Sequence, residues 1–150
     1  MVPPGALTGH RRIGIDTTVF IYALEHGSPF TPTAQFVLRL VEAGHVSAVA
    51  STLAIAELLV WPYRHGRSET SDGYFTLLTA YPNLALVAPS LEICRTAARL
   101  RGMSPSLKLA DAVHLATGIA SGATAFVTND ARIPRDLGIS VVQLRDVAVN

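Results

Sequence analysis

The chain has 150 residues, of which 12 are Lys or Arg and 11 are Asp or Glu, so its formal net charge is +1. Hydrophobic residues make up 49% and charged residues 15%. This composition excludes intrinsic disorder, which requires low hydrophobicity and high net charge, and it lacks the basic excess of a DNA-binding module.

The mean hydropathy of +0.36 raises the question of a membrane span, which needs about 20 consecutive apolar residues. The longest uncharged segment, residues 73–91, is interrupted by Pro82, Asn83 and Pro89. Residues 1–10 contain two prolines and no basic segment followed by an apolar one, so they do not resemble a secretory signal. We therefore expect a cytoplasmic protein with no membrane association.

The predicted elements alternate between short apolar segments and longer segments of helical periodicity. The predicted strands are apolar on both faces and span residues 12–16, 46–50, 84–87, 125–128 and 141–144. The predicted helices span residues 17–26, 33–44, 53–60, part of 68–80, 90–101 and 109–121, with a short helical turn near 133–137. Strands without a polar face are typical of a parallel sheet covered by helices. We therefore expect an α/β fold, a three-layer α/β/α sandwich with a parallel sheet of about five strands.

The chain contains no internal repeat and no internal linker. We expect residues 1–10 to be a flexible N-terminal tail and residues 11–150 to form a single domain. Cys94 is the only cysteine, which excludes intramolecular disulfides and thiolate zinc clusters. Its apolar neighbours predict a small buried residue on a helix.

Four of the eleven acidic residues lie at junctions between predicted elements. Asp16 and Asp130 follow strands, Glu57 lies in an apolar helix after the second strand, and Asp111 lies near the start of another apolar helix. Open parallel sheets bind ligands outside the carboxyl ends of their strands, where the strand order reverses. One pocket at that edge is therefore expected to collect all four acids.

Such a pocket requires a cation, because two carboxylates about 4 Å apart repel by roughly 4 kcal/mol at an effective dielectric constant near 20. An all-oxygen ligand set without cysteine favours Mg²⁺ or Mn²⁺. Each acid alone also has a structural interpretation. Asp16 and Asp130 suit helix caps, Glu57 suits an ion pair with an arginine, and Asp111 suits the positive end of a helix dipole.

The sequence around these acids resembles the PIN-domain ribonucleases, and most closely the VapC-type toxins of bacterial and archaeal toxin–antitoxin pairs. The resemblance extends from about residue 12 to residue 144, and it is carried by residues 15–24, 51–58, 109–117 and 127–130. It implies a PIN-like sandwich and a metal-dependent endoribonuclease that hydrolyses RNA phosphodiester bonds, displacing the 3′-oxygen. The cofactor would be Mg²⁺ or Mn²⁺ and the substrate RNA.

The resemblance also implies roles for individual residues. Asp16, Glu57, Asp111 and Asp130 would be the catalytic acids and metal ligands, with Asp16 and Asp111 the principal ones. Thr18 would fill the place of a small hydroxyl or amide, and Thr128 would supply the hydroxyl before the last acid. Family members often carry a further Asp two residues after the last acid, followed by an aromatic residue, whereas this chain has Arg132 and Ile133. The difference concerns the place where a second metal ion would bind.

His114 lies three residues after Asp111 and so on the same helix face. It is expected either to touch substrate phosphate or hold a water, or to be a partly buried structural histidine. The family further implies a VapB-type antitoxin whose peptide lies across the pocket. Apolar and aromatic residues suit either a homodimer interface or the core: Phe20, Tyr22, Phe36, Trp61 and Tyr63.

Three alternative functions remain open from the sequence. A phosphoryl-accepting signalling module resembling receiver domains would require a lysine at the end of a late strand, but Lys108 precedes a helix instead. A phosphatase resembling haloacid dehalogenases would form an aspartyl-phosphate and would require an Asp where Thr18 stands. The third alternative is a catalytically inactive PIN-fold binding module.

Overall fold

A computed structural model describes residues 4–149 of the chain. Its strands span Arg12–Ile15 (β1), Ser47–Ser51 (β2), Leu84–Val87 (β3), Ala125–Thr128 (β4) and Ser140–Gln143 (β5). Its α-helices span Thr17–Leu24 (α1), Thr31–Glu42 (α2), Leu53–Leu58 (α3), Val60–Arg64 (α4), Ser68–Thr79 (α5), Leu91–Met103 (α6) and Leu109–Ala120 (α7). Short 3-10 helices at Gly5–Leu7 and Leu144–Asp146 flank this series. No helix among the described residues is long and apolar enough to cross a membrane.

The five strands form one parallel sheet in the order β3-β2-β1-β4-β5. The strand order reverses between β1 and β4, so the carboxyl ends of these two strands border the position where such sheets bind ligands. The order also differs from the β2-β1-β3-β4-β5 order typical of receiver-like folds. The receiver-like alternative is therefore wrong on topology.

The side chains of the sheet enter two buried clusters on its opposite faces. Ile13 and Ile15 of β1 belong to the cluster that includes α1, α2 and α3, whereas Val49 of β2 and Phe126 of β4 belong to the cluster that includes α6 and α7. Because successive strand residues point to opposite faces, a strand apolar at every position needs helices on both sides. The expected three-layer α/β/α sandwich is confirmed.

Two glycines allow α7 to lie directly against β1. A Cβ atom on Gly14 of β1 would stand 3.4 Å from the Cα atom of Gly118, and one on Gly118 would stand 3.7 Å from the Cα atom of Gly14. The backbones therefore meet without intervening side chains. This close approach places α7, which carries Asp111 and His114, beside the strand that leads into Asp16.

The structure corrects two predicted helices, and proline explains both differences. The helix expected over 53–60 is divided into α3 and α4 at Leu59, because Pro62 has no N–H to donate to the carbonyl four residues earlier. No helix forms over 133–137, because Pro134 disfavours a helical conformation at Ile133. Ile133 and Leu137 are nevertheless buried in the core.

Burial corrects several other expectations. Cys94 is exposed, because α6 turns Ile93, Ala97 and Leu100 toward the core and leaves Cys94 on the solvent side. Within the segment expected to be a loose tail, Leu7 is fully buried, so this part packs on the core; residues 1–3 lie outside the described residues.

The aromatic residues that were candidates for a dimer interface also differ in how deeply they are buried. Phe20 and Phe36 are core residues, with 1% and 7% of their surface exposed. Tyr22 is partly buried against the same core. Only Trp61 and Tyr63 belong to the exposed surface.

The contact between Gly14 and Gly118 leads to a prediction about stability. Gly118→Ala should leave stability unchanged or raise it by up to about 1 kcal/mol, because alanine is the better helix former and its Cβ meets neighbours no closer than 3.7 Å. Gly118→Leu should cost about 2 kcal/mol through overpacking. Urea unfolding of the three chains measures the difference, and equal stability of the leucine variant would contradict this close packing.

Candidate active site

A cavity of about 270 Å³ opens at the carboxyl edge of the sheet, beside the ends of β1 and β4. The structure brings all four expected acids to its lining, Asp16, Glu57, Asp111 and Asp130. Thr17, Thr18, Lys108 and Arg132 also line it. The acids come from four different elements or loops, so only the folded chain assembles them.

Asp16 lies at the floor of the cavity and is 4% exposed. It caps α1 by accepting a hydrogen bond from the Thr17 amide at 2.8 Å through Oδ1, and its Oδ2 accepts one from the Thr128 hydroxyl at 2.6 Å. Burial raises the pKa of Asp16, although the Thr128 hydrogen bond opposes this shift. Asp16 is thus both the helix cap that its position suggested and an acid of the cavity.

Two threonine hydroxyls join the end of β4 to the end of β1. The Thr128 hydroxyl donates to Asp16 and accepts a hydrogen bond from the Asp130 amide at 3.0 Å. The Thr18 hydroxyl accepts one from the Asn129 amide at 3.1 Å and lies 3.4 Å from Asp16 Oδ2. The two hydroxyls therefore fix the position of the loop that carries Asp130 relative to Asp16.

Glu57 is oriented by a histidine beneath the cavity. His114 Nε2 and Glu57 Oε1 form a close ion pair, and the Thr17 hydroxyl donates to the same oxygen at 2.9 Å. The hydrogen bond from His114 lowers the pKa of Glu57. Burial acts to lower the pKa of His114, but its hydrogen bond to Glu57 and the nearby carboxylates outweigh burial and raise it.

The burial of His114 favours the structural interpretation of this residue over contact with a substrate. Its side chain is only 1% exposed, so it does not reach a substrate, and it acts on the cavity through Glu57. Thr17 is a contributor that the sequence did not reveal, because a hydroxyl in the first turn of a helix carries no distinguishing signal.

Of the four acids, Asp111 has the fewest contacts that stabilise its negative charge. Burial raises its pKa, and the charges of Asp16 and Asp130 raise it further. Its carboxylate forms no hydrogen bond or ion pair within residues 4–149. The ionised form of Asp111 is thus held in the folded chain at an energetic cost.

Asp130 is held by an arginine from its own loop. Its Oδ1 accepts hydrogen bonds from the Arg132 amide at 2.9 Å and from Arg132 Nε at 3.0 Å, and its Oδ2 accepts one from Nη2 at 2.9 Å. The hydrogen bond from the Arg132 side chain is the main cause that lowers the pKa of Asp130. Gln143 donates to the Asp130 carbonyl at 3.0 Å and secures the loop from β5.

Among residues 4–149, no three His, Cys, Asp or Glu side chains form a group that could hold a metal ion as they stand. This absence follows from the ion pairs of two acids, because Glu57 is paired with His114 and Asp130 with Arg132. Within residues 4–149 neither Asp16 nor Asp111 forms an ion pair, and the charge of Asp16 adds to the cost of ionising Asp111. An all-oxygen pair of this kind suits a hard divalent cation.

Comparisons with known proteins identify the family and the fold. A family model for the PIN domain matches residues 13–136. The search of curated proteins finds no match.

Solved structures of similar fold include VapBC2 from Rickettsia felis bound to a promoter DNA fragment, with a TM-score of 0.70 and 16% identity over 88% of this chain and 98% of that one. FitAcB from Neisseria gonorrhoeae has a TM-score of 0.69 and 15% identity over 91% and 99%. The Mycobacterium tuberculosis toxin VapC20, which cleaves the sarcin–ricin loop, has a TM-score of 0.64 and 14% identity over 80% and 91%. At these identities the similarity shows the fold.

The position of Asp111 leads to a prediction about the metal-free protein. Its folded-state pKa is raised above the unfolded value, so ionised Asp111 opposes folding at neutral pH. Asp111→Asn should therefore raise the melting temperature at pH 7 by a few degrees. The difference should shrink as the pH falls through the raised folded pKa and disappear below the unfolded pKa of about 3.9, where the carboxyl is protonated in both states. Calorimetry in a chelator measures this, and a clear loss of stability would show that Asp111 supports the fold.

Proposed function

Because the chain belongs to the PIN domain family, we propose that it is a metal-dependent endoribonuclease, the toxin of a VapBC-type toxin–antitoxin pair. The single observation that carries the proposal is the convergence of Asp16, Glu57, Asp111 and Asp130 on one cavity at the switch point of the sheet. The structural neighbours include a toxin that cleaves the sarcin–ricin loop, which supports the choice of RNA as substrate by analogy.

Asp16 and Asp111 are the principal ligands for Mg²⁺ or Mn²⁺ in this proposal, with Glu57 and Asp130 acting directly or through water. When bound, such an ion supplies Lewis-acid activation of water and neutralises negative charge on the phosphoryl oxygens. The chain prepares this site before the ion arrives. Thr128 and the Thr17 amide hold the Asp16 carboxylate, so that it loses little conformational freedom on binding.

The reaction would be hydrolysis of a phosphodiester bond. The oxygen of a water forms a bond to phosphorus while the bond from phosphorus to the 3′-oxygen breaks, and the leaving oxygen takes a proton to end as a hydroxyl. No serine, cysteine or histidine nucleophile is required, which agrees with the burial of His114 and the distance of Cys94 from the cavity lining. We expect the reaction to take place in the cytoplasm.

The decisive experiment incubates the purified chain, freed of any antitoxin, with total RNA and either Mn²⁺ or Mg²⁺, and maps the new 5′ ends. The parent should produce discrete ends that disappear in a chelator. Asp111→Asn should lower the cleavage rate at least about 100-fold, as expected when a group that stabilises charge in the transition state is removed. Asp136→Asn is the matched control, because Asp136 is exposed and lies outside the cavity lining.

The outcomes separate the remaining alternatives. If the parent yields no new ends with either metal, the ribonuclease proposal fails and the inactive binding module is favoured. If Asp136→Asn loses activity as fully as Asp111→Asn, the cavity is not the site of cleavage.

A VapB-type antitoxin is the proposed protein partner. The solved neighbours include toxin–antitoxin complexes, and the acidic cavity suits an arginine offered by a peptide that lies across it. In the RNA assay, addition of the cognate antitoxin in equal molar amount should abolish cleavage. Unchanged cleavage by the complex would contradict a partner that covers the cavity.

We also propose a homodimer formed through α4 and α5. These helices contact each other and expose five large apolar residues, Val60, Trp61, Tyr63, Phe75 and Leu77. Large apolar side chains exposed on two neighbouring helices favour a protein interface. Sedimentation of the parent should give a dimer and that of Tyr63→Glu a monomer. Leu91→Glu is the control, since Leu91 is exposed on α6, and dissociation of both variants, or of neither, would contradict this interface.

A further inference from the structure

The carboxylates of the cavity present an electrostatic difficulty for the proposed substrate. Four acids line the cavity, whereas RNA brings negative phosphates to it. Two cationic side chains share the same lining, Lys108 and Arg132. Both are exposed, so both are accessible to a phosphate that approaches the cavity.

Arg132 is held in one orientation by the acid beside it. Its Nε and Nη2 donate to the two oxygens of Asp130, which leaves three of the five guanidinium N–H groups for another acceptor. The Arg132 side chain is 72% exposed while Asp130 is only 16% exposed. The guanidinium therefore covers Asp130 and turns its remaining donors away from that carboxylate.

Lys108 supplies a second positive charge from a different element. It precedes α7 as the helix N-cap residue, three positions before Asp111. Its charge acts on Asp130, as does that of Arg132, so both cations lie near enough to this acid to influence it. A planar guanidinium fork and a mobile ammonium form a combination well suited to a phosphate group.

We propose that Arg132, oriented by Asp130, and Lys108 form a binding site for a backbone phosphate of single-stranded RNA at the mouth of the cavity. The inference rests on the proposed ribonuclease function and deepens it. It also assigns a division of labour: Asp16 and Asp111 are the principal ligands of the metal ion, while Arg132 provides positive charge where family members often place a further acid.

The test measures RNA binding without cleavage. Each chain carries Asp111→Asn, and the probe is a short fluorescein-labelled single-stranded RNA of mixed sequence in a chelating buffer, followed by fluorescence anisotropy over a series of salt concentrations. Arg132→Ala should weaken binding at least fivefold and reduce the slope of log affinity against log salt by about 0.7, the value for one phosphate contact on a single strand. Lys108→Ala should reduce the slope similarly.

Arg135→Ala is the matched control. Arg135 lies three residues further along the same loop, is 57% exposed and pairs with Asp146 rather than with a cavity acid. Arg135→Ala removes the same charge as Arg132→Ala. It should change the affinity for RNA and the salt slope much less than Arg132→Ala does. Arg132→Lys keeps the charge but loses the two-point contact with Asp130, so its affinity should lie between those of the parent and Arg132→Ala.

Three results would overturn the inference: equal effects of Arg132→Ala and Arg135→Ala, an unchanged salt slope in Arg132→Ala, or no RNA binding by any metal-free chain. The cleavage assay of the otherwise native chain keeps this failure distinct from failure of the ribonuclease proposal. A parent that cleaves RNA while Arg132→Ala binds RNA normally leaves the function intact and rejects the phosphate site alone.

Discussion

Repulsion among carboxylates is the constraint on which the rest of this structure depends. Asp16, Glu57, Asp111 and Asp130 line one cavity, and such charges cost energy when they are gathered in a partly desolvated space. The fold offsets this cost separately for three of the acids. Asp16 receives a helix amide and a hydroxyl, Glu57 pairs with His114, and Asp130 pairs with Arg132. Asp111 alone retains an uncompensated charge, which makes it the natural focus for a cation.

The backbone arrangement that gathers the acids is as important as their charges. β1 and β4 are neighbours at the point where the strand order reverses, and the Thr128 hydroxyl bridges Asp16 to the amide of Asp130. On the other side, Gly14 and Gly118 allow α7 to contact β1 directly. The hydrogen-bonded bridge and the glycine contact belong to the core rather than to a mobile loop. The cavity is therefore organised by the same packing that stabilises the sheet.

The contacts of the acids divide the cavity into two parts with different chemistry. Asp16 and Asp111 form the part without an ion pair among the described residues, where a hard metal ion would suit the oxygen ligands. Asp130 belongs to the other part, where Arg132 covers the carboxylate and Lys108 adds a second positive charge. Such a division allows a single pocket to attract both a divalent cation and a phosphate. It also offers a physical reason for Arg132 at a position where PIN domains often carry an acid.

The periodicity of apolar residues made the parallel sheet and the two helical layers predictable from the sequence, because a strand that is apolar on both faces requires helices on both sides. The four candidate acids were predictable because they lie at junctions between the predicted elements. The same information failed wherever a side chain's partner lies far along the chain. Nothing local distinguishes Cys94 as exposed or His114 as the partner of Glu57. Only the tertiary structure decided these contacts, since they depend on which elements the sheet order places side by side.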